Sequence, residues 1–144
     1  MVSFDINKIK VGDSLPELII RPITQSTLSK YAEASGDHNP IHLDFEFAQK
    51  VGLPNVIAHG MLIMGYLAQA ITNHIDQCNI KEYGVKFSSM TKIGDSLTCS
   101  GLVTEVSQLD SERQLKLKLL VSNQHNDEKL VGYANIVSYW KIID

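Results

Sequence analysis

The most apolar part of the sequence is the stretch Gly60-Met61-Leu62-Ile63-Met64-Gly65-Tyr66-Leu67-Ala68, and helix-compatible residues continue it to about Ile75. A helix that is apolar on nearly every side belongs inside a protein rather than on its surface. The apolar run is too short to cross a bilayer, and Gln69, Thr72 and Asn73 follow it. The stretch therefore predicts a central helix that other elements must wrap, with Met61 and Met64 as core residues.

The second half of the chain supplies strands that can wrap this helix. Leucines and a valine alternate with lysines over residues 115–121, a period of two that is typical of a strand with one buried side. Similar runs cover 83–87, 97–106 and 130–139, with turn residues at 93–95, 109–111 and 125–127 between them. Consecutive strands with short connections favour an antiparallel sheet. We therefore expect an α+β fold with a curved antiparallel sheet against one buried helix.

The first half predicts smaller elements. Residues 17–20 are typical of a short strand. A helix is expected over 24–35, with Thr24 or Ser26 as its N-cap and Gly36 as its stop. Asp44 can cap a second short helix that carries Phe45, Phe47 and Ala48.

Length, charge and the first residues of the chain limit the possible classes of function. The 144 residues suit one domain, 1–144, and 13 basic residues against 16 acidic ones give a net charge of −3. The basic residues are scattered and form no run that would bind a phosphate backbone, which argues against a nucleic-acid partner. The first residues lack the apolar segment of a signal peptide, so we expect a cytoplasmic protein without a membrane anchor. In that compartment, Cys78 and Cys99 are expected to be buried thiols.

One candidate for chemistry is the pair Asp37 and His42, which flank a turn that contains Pro40. Near neutral pH, a carboxylate beside a mostly uncharged imidazole can hold a water molecule, remove its proton and return a proton elsewhere. The alternative is structural, because an Asp-x-Asn-Pro sequence is ordinary turn chemistry and the histidine could simply be a loop residue.

A second candidate is His59-Gly60 at the start of the central helix. A helix start presents free N–H groups and the positive end of the dipole, and a glycine lets a ligand oxygen approach them. The simpler explanation is that Gly60 allows a tight turn and that His59 packs or forms a hydrogen bond. No metal site is expected, because Pro40 spoils the helical spacing of His38 and His42 and no cysteine ligand lies nearby.

The string from Tyr31 to His42, Tyr-Ala-Glu-Ala-Ser-Gly-Asp-His-Asn-Pro-Ile-His, strongly resembles the signature of MaoC-like (R)-specific enoyl thioester hydratases and dehydratases. A second block, Ile-Ala-His-Gly-Met-Leu at 57–62, fits the same family. The resemblance implies a hot-dog fold, a homodimer or in some relatives a heterodimer, and an acyl tunnel near the subunit interface.

Carried over residue by residue, the resemblance implies that Asp37 and His42 are the catalytic pair. It also implies that Gly60 N–H binds the thioester carbonyl and that Asn39 holds the catalytic turn in shape. The expected reaction is hydration of a trans-2-enoyl thioester to the (R)-3-hydroxyacyl thioester, or the reverse. The substrate would be carried on coenzyme A or acyl carrier protein, with no further cofactor.

Some relatives place a serine in the central helix, whereas the corresponding position here is Ala68. Two other classes remain open. A hot-dog thioesterase would use a carboxylate on the central helix, and residues 60–75 contain none. A non-catalytic module that binds acyl thioesters would not need both Asp37 and His42.

Overall fold

The computed structural model describes residues 4–139. Its elements in chain order are strand β1, helices α1, α2 and α3, and strands β2 to β5; two short 3-10 helices lie at Pro40–His42 and Gln77–Asn79. The bounds are Leu18–Ile20 for β1, Gln25–Ser35 for α1, Phe45–Lys50 for α2, Gly60–Thr72 for α3, Ile80–Phe87 for β2, Leu97–Leu109 for β3, Glu112–Asn123 for β4 and Glu128–Tyr139 for β5. The single domain 1–144 stays a prediction, since its two ends lie outside the described residues.

Local capping explains where the first two α-helices begin. Thr24 Oγ1 accepts a hydrogen bond from Thr27 N at 3.2 Å, and Asp44 Oδ1 accepts one from Phe47 N at 3.1 Å. Both bonds satisfy an N–H group that a helix start leaves unpaired. Gly36 ends α1 with a φ of 77°, a left-handed conformation that glycine adopts readily. The predicted caps and the predicted stop are confirmed.

All five strands form one antiparallel sheet in the order β1-β3-β4-β5-β2. Strand β2 therefore pairs with β5, the last of the five strands in chain order, and not with β3, which follows it. The long strand β4 alternates as expected: its leucines at 115, 117 and 119 and Val121 are at most 2% exposed. The predicted α+β class and the antiparallel sheet are confirmed.

Helix α3 packs on strands β1, β3 and β4. Its Leu67 and Ile71 are fully buried against the inner side chains of the sheet, which include Leu117 and Leu119. The Tyr83 hydroxyl on β2 donates a hydrogen bond to Met64 O at 2.7 Å and so ties the helix to the edge strand. This sheet wrapped around a central helix is the hot-dog arrangement that the resemblance implies.

The helix is less enclosed than its composition predicts. Met61 is 60% exposed, Gly65 and Gln69 are also exposed, and the helix ends at Thr72 instead of Ile75. The physical reason is that a single curved sheet covers only one side of a helix, so the opposite side keeps an apolar face towards solvent. The prediction of Met61 as a core residue is wrong.

The two cysteines differ in their surroundings. Cys99 on β3 is fully buried, and burial raises the pKa of its thiol to about 12. Cys78 lies in the 3-10 helix Gln77–Asn79 and is exposed, so the prediction of two buried thiols is wrong for Cys78. Within residues 4–139, none of the helices has the length and apolar character needed to span a membrane.

Candidate active site

The turn after α1 is held by two side chains that bond the backbone ahead of them. Asp37 Oδ1 accepts a hydrogen bond from Asn39 N at 3.2 Å, and Asn39 Oδ1 accepts one from Ile41 N at 3.1 Å. Asn39 thereby caps the 3-10 helix that ends at His42, with Pro40 in its first turn. The bond from Ile41 N to Asn39 Oδ1 is the means by which Asn39 can shape this turn. A direct contact between Asn39 and the substrate stays a prediction.

This turn brings Asp37 and His42 together. Asp37 Oδ2 lies 3.9 Å from His42 Nε2, and the Asp37 side chain is 52% exposed, whereas that of His42 is 9% exposed. His42 Nδ1 lies 2.7 Å from the main-chain oxygen of Ile57. Because a carbonyl oxygen can only accept, Nδ1 carries the proton, and the lone pair of a neutral His42 is on Nε2, which faces Asp37.

His59 both packs and forms a hydrogen bond, as the simpler explanation of His59-Gly60 predicts. It is 1% exposed, and its ring stacks on that of His42 with centroids 3.8 Å apart and planes 26° apart. His59 Nε2 lies 3.1 Å from the main-chain oxygen of Asp37 and so donates a hydrogen bond to it. The Tyr31 ring packs edge-on against His59, with the centroids 4.8 Å apart. The sequence placed His59 before the buried helix and in the second family block, but it did not reveal the contacts with Asp37 and His42.

The pKa of His59 is lowered from its ordinary value. Burial is the main cause, and the neighbouring His42 acts in the same direction, whereas the hydrogen bond to the Asp37 carbonyl and the Asp37 charge oppose the shift. His59 is therefore uncharged at neutral pH.

Gly60 is the first residue of α3, so its N–H has no acceptor within the helix. The Phe87 ring lies beside it: a Cβ on Gly60 would come within 2.9 Å of Phe87 Cε1. A glycine is therefore required for this close packing of the ring against the helix start.

A cavity of about 530 Å³ adjoins these groups. His42 and Gly60 line its polar end, and Ile63, Phe87 and Leu130 contribute apolar surface. Ser88, Ser89 and Thr91 also line the cavity and add hydroxyl groups, which the lining residues of α3, Gly60 and Ile63, do not have. An apolar cavity with a few converging polar groups is typical of a small-molecule site. A polar groove of about 580 Å³ lies over β3 to β5 and contains none of the candidate residues.

One wall of the cavity is fixed by a buried ion pair. Lys129 Nζ donates to Met90 O at 2.9 Å and lies 3.5 Å from Asp95 Oδ2, and both side chains are at most 10% exposed. The wall is joined in turn to the residues before α3, because Ala58 N donates to Thr91 O at 2.8 Å. The segment 88–91 is thus held between strand β5 and the residues that lead into the central helix.

Asp37, His42 and His59 also form a group whose possible metal ligand atoms lie within 4.8 Å of one another. His38, the other histidine of the turn, is exposed and is not part of this group. Since His59 Nε2 carries a proton that it donates to Asp37 O, that nitrogen has no lone pair for an ion. The arrangement suits proton transfer better than metal binding.

Comparison with known proteins identifies the family of this chain. A family model described as MaoC like domain matches residues 7–125. The chain is 32% identical over 123 residues to the mitochondrial 3-hydroxyacyl-[acyl-carrier-protein] dehydratase of Arabidopsis thaliana. The aligned region covers 85% of this chain and 72% of that protein. It is 30% identical over 98 residues to the (R)-specific enoyl-CoA hydratase of Rhodospirillum rubrum, which covers 67% of each.

The solved structure of an unliganded R-hydratase from Pseudomonas aeruginosa superimposes with a TM-score of 0.81 at 26% identity, covering 96% of this chain and 88% of that one. Some relatives are much longer, and the match spans as little as 4% of their length. The hot-dog fold and the predicted class of hydratases and dehydratases are both confirmed by these relatives. With a family model matched over most of its length, the chain belongs to the MaoC-like domain family.

Proposed function

We propose that this chain catalyses the reversible addition of water to a trans-2-enoyl thioester, which gives the (R)-3-hydroxyacyl thioester. The observation that carries the proposal is the 3.9 Å separation of Asp37 Oδ2 and His42 Nε2 beside the start of helix α3. That separation is too long for a direct hydrogen bond but allows one water molecule to contact both atoms.

In the hydration direction, Asp37 and His42 orient this water towards C3 of the substrate. The water oxygen forms a bond to C3 while His42 Nε2 takes a proton, which is possible because Nδ1 is already protonated and held by Ile57 O. The electrons of the double bond move towards the thioester carbonyl. C2 then takes up one proton and His42 releases the proton that it took, so that the net change is the addition of one water molecule. Dehydration is the same sequence in reverse.

Negative charge develops on the thioester oxygen during this step. Gly60 N–H is the donor that we assign to it, supported by its place as the first residue of α3, where the helix dipole also favours negative charge. The acyl chain would occupy the cavity, whose surface at Ile63, Phe87 and Leu130 is apolar.

Two carriers fit this chemistry, coenzyme A and acyl carrier protein, and the two named relatives include one protein for each. A thioesterase is disfavoured because helix α3 carries no carboxylate. A non-catalytic binding module would retain its ligand after Asp37→Asn and show no turnover in either form.

The test follows the loss of enone absorbance when a short trans-2-enoyl thioester, on each carrier in turn, is mixed with the purified chain. Asp37→Asn and His42→Ala should each lower kcat by about 10²–10⁴-fold. His38→Ala is the matched control, because His38 lies in the same turn but is exposed and outside the site, and it should keep the parent rate. Parent-like rates in both site variants would contradict the proposal, as would no turnover on either carrier.

We further propose that the chain acts as a homodimer, with the cytoplasm as its expected location. Support comes from large apolar side chains that are exposed in the single chain: Met61 is 60%, Met90 54% and Phe87 50% exposed. Strand β2 also lies at an edge of the sheet with one side unpaired. Sedimentation should give twice the mass of the chain, and Met61→Lys should shift the protein to monomer. A parent that sediments as a monomer would instead favour a missing partner subunit.

A further inference from the structure

We propose that His59 is a positioning residue of the site: its Nε2–H holds the main-chain carbonyl of Asp37, and its ring supports that of His42. The inference rests on the proposed function, since it concerns the geometry of the same pair. His59 does not line the cavity, so it acts through its neighbours and not on the substrate.

The first part of this role concerns Asp37. Its carboxylate is half exposed and lies on a turn, where a backbone can shift easily. Its two other hydrogen bonds, from Asp37 N to Ser35 Oγ and from Asn39 N to Asp37 Oδ1, are both local and exposed. The bond from His59 Nε2 is different, because it joins the turn to a residue that is 1% exposed and directly precedes Gly60. This bond fixes the distance between the turn and the start of α3.

The second part concerns His42. Its ring is held by the covalent bond to Cβ and by the hydrogen bond from Nδ1 to Ile57 O, and within these two restraints the ring plane can still tilt. The His59 ring lies against its face at a centroid distance of 3.8 Å and limits this tilt. Nε2 therefore stays directed towards Asp37.

The third part is the charge of His59. Its Nδ1 is buried and has no hydrogen-bond partner within residues 4–139, so a proton there would place an unpaired charge in the interior. The titratable groups that contact its ring are Tyr31, Asp37 and His42. An uncharged His59 donates only from Nε2 and does not repel the positive charge that His42 acquires during the reaction.

Two substitutions separate the donor from the ring. His59→Phe keeps an aromatic ring in the stack but has no N–H, whereas His59→Gln has an amide N–H at the distance of Nε2. Kinetics are compared per folded molecule, with the folded fraction measured by thermal unfolding. His125→Phe, in the exposed turn between β4 and β5, is the matched control and should retain the parent kcat.

We expect His59→Phe to lower kcat by about 10²-fold, the effect of misplacing a catalytic group by about 1 Å, while KM changes far less. His59→Gln should recover part of the lost kcat, because it restores the N–H donor but not the ring that supports His42. A merely structural role predicts a loss of stability with an unchanged kcat per folded molecule. An unchanged kcat in His59→Phe would overturn the proposal, and so would a His59→Gln variant that is as slow as His59→Phe.

A measurement on the parent chain decides the matter if the variants do not fold. Nitrogen NMR of the histidine rings should show His59 in the neutral Nε2–H tautomer from about pH 6 to 8, where an ordinary histidine titrates. Titration of His59 across this range, or an Nδ1–H tautomer, would overturn the inference. A parent without turnover on either carrier would refute the proposed function, and the tautomer measurement would still test the geometry of His59.

Discussion

His42 and His59 stack with their ring centroids 3.8 Å apart, yet they use different ring nitrogens to bind the backbone. His42 donates from Nδ1 to Ile57 O, and His59 donates from Nε2 to Asp37 O. The two rings are therefore opposite tautomers, each fixed by a carbonyl that lies far from it in the sequence. Only His42 has its free lone pair on the side that faces Asp37.

This arrangement predicts that activity does not depend on a metal ion. Asp37, His42 and His59 are close enough to attract a divalent ion, but His59 Nε2 is protonated and its free lone pair is on Nδ1, which is buried, so only Asp37 and His42 offer accessible ligand atoms, fewer than a stable zinc site needs. Incubation with EDTA followed by desalting should leave kcat unchanged. A loss of activity that Zn²⁺ restores would contradict this expectation.

Gly60→Ala should impair the site with little effect on stability. The new Cβ would lie 2.9 Å from the Phe87 ring and would push that ring from its place at the cavity wall. We expect kcat/KM to fall by about 10-fold or more, since small displacements in a site have large effects on rate. Adding Phe87→Ala should recover part of this loss by removing the clash, and Phe87→Ala alone is the control. A Gly60→Ala variant with parent kinetics would show that the ring position is unimportant.

Lys129→Met should destabilise the protein strongly. The substitution leaves Asp95 buried without its cation, which typically costs about 3–5 kcal/mol of unfolding free energy. Urea unfolding should detect the loss, and adding Asp95→Asn should restore part of it by removing the unpaired charge. Lys8→Met is the matched control: the Lys8–Asp5 ion pair spans 3.8 Å, but its side chains are 85% and 39% exposed, so no measurable change is expected. Equal effects at the two lysines would be inconsistent with a buried pair.

The lowered pKa of His59 predicts a dependence of stability on pH. The unfolded chain binds a proton at His59 below about pH 6.5, whereas the folded chain does so only at lower pH. The contribution of His59 is therefore complete above about pH 6.5 and is lost as the pH falls towards the lowered pKa of the folded state. The unfolding free energy of the parent should decrease below about pH 6.5, and the decrease should be smaller in His59→Gln. Identical pH dependence in the two proteins would rule out His59 as the source.

Much of the fold could be predicted because its signals are local. The Thr24 and Asp44 caps, the stop at Gly36 and the alternation along β4 each depend on residues within a few positions of one another. The same holds for the turn that brings Asp37 and His42 together, since a proline and two side-chain caps fix it. Their catalytic roles stay predictions until the variants are assayed.

The features that sequence reasoning missed depend on distant contacts. His59 meets the Asp37 carbonyl 22 residues away, and Lys129 meets Met90 O 39 residues away. Met61 is apolar, but whether it is covered depends on which side of α3 the sheet occupies. No local sequence pattern contains that information, because the pairing of the strands determines which side of α3 the sheet covers.

The sheet order also has a consequence for how the protein is made on the ribosome. Strand β5 lies between β4 and β2, so β2 has no neighbour in the sheet until residues 128–139 have been synthesised. Phe87 on β2 and Leu130 on β5 are both walls of the cavity. While β5 is still inside the exit tunnel, the nascent chain already carries Asp37, His42 and Gly60 but lacks a closed pocket. Under the proposed function, the chain can therefore hold an acyl group only after β5 has left the tunnel and paired with β2.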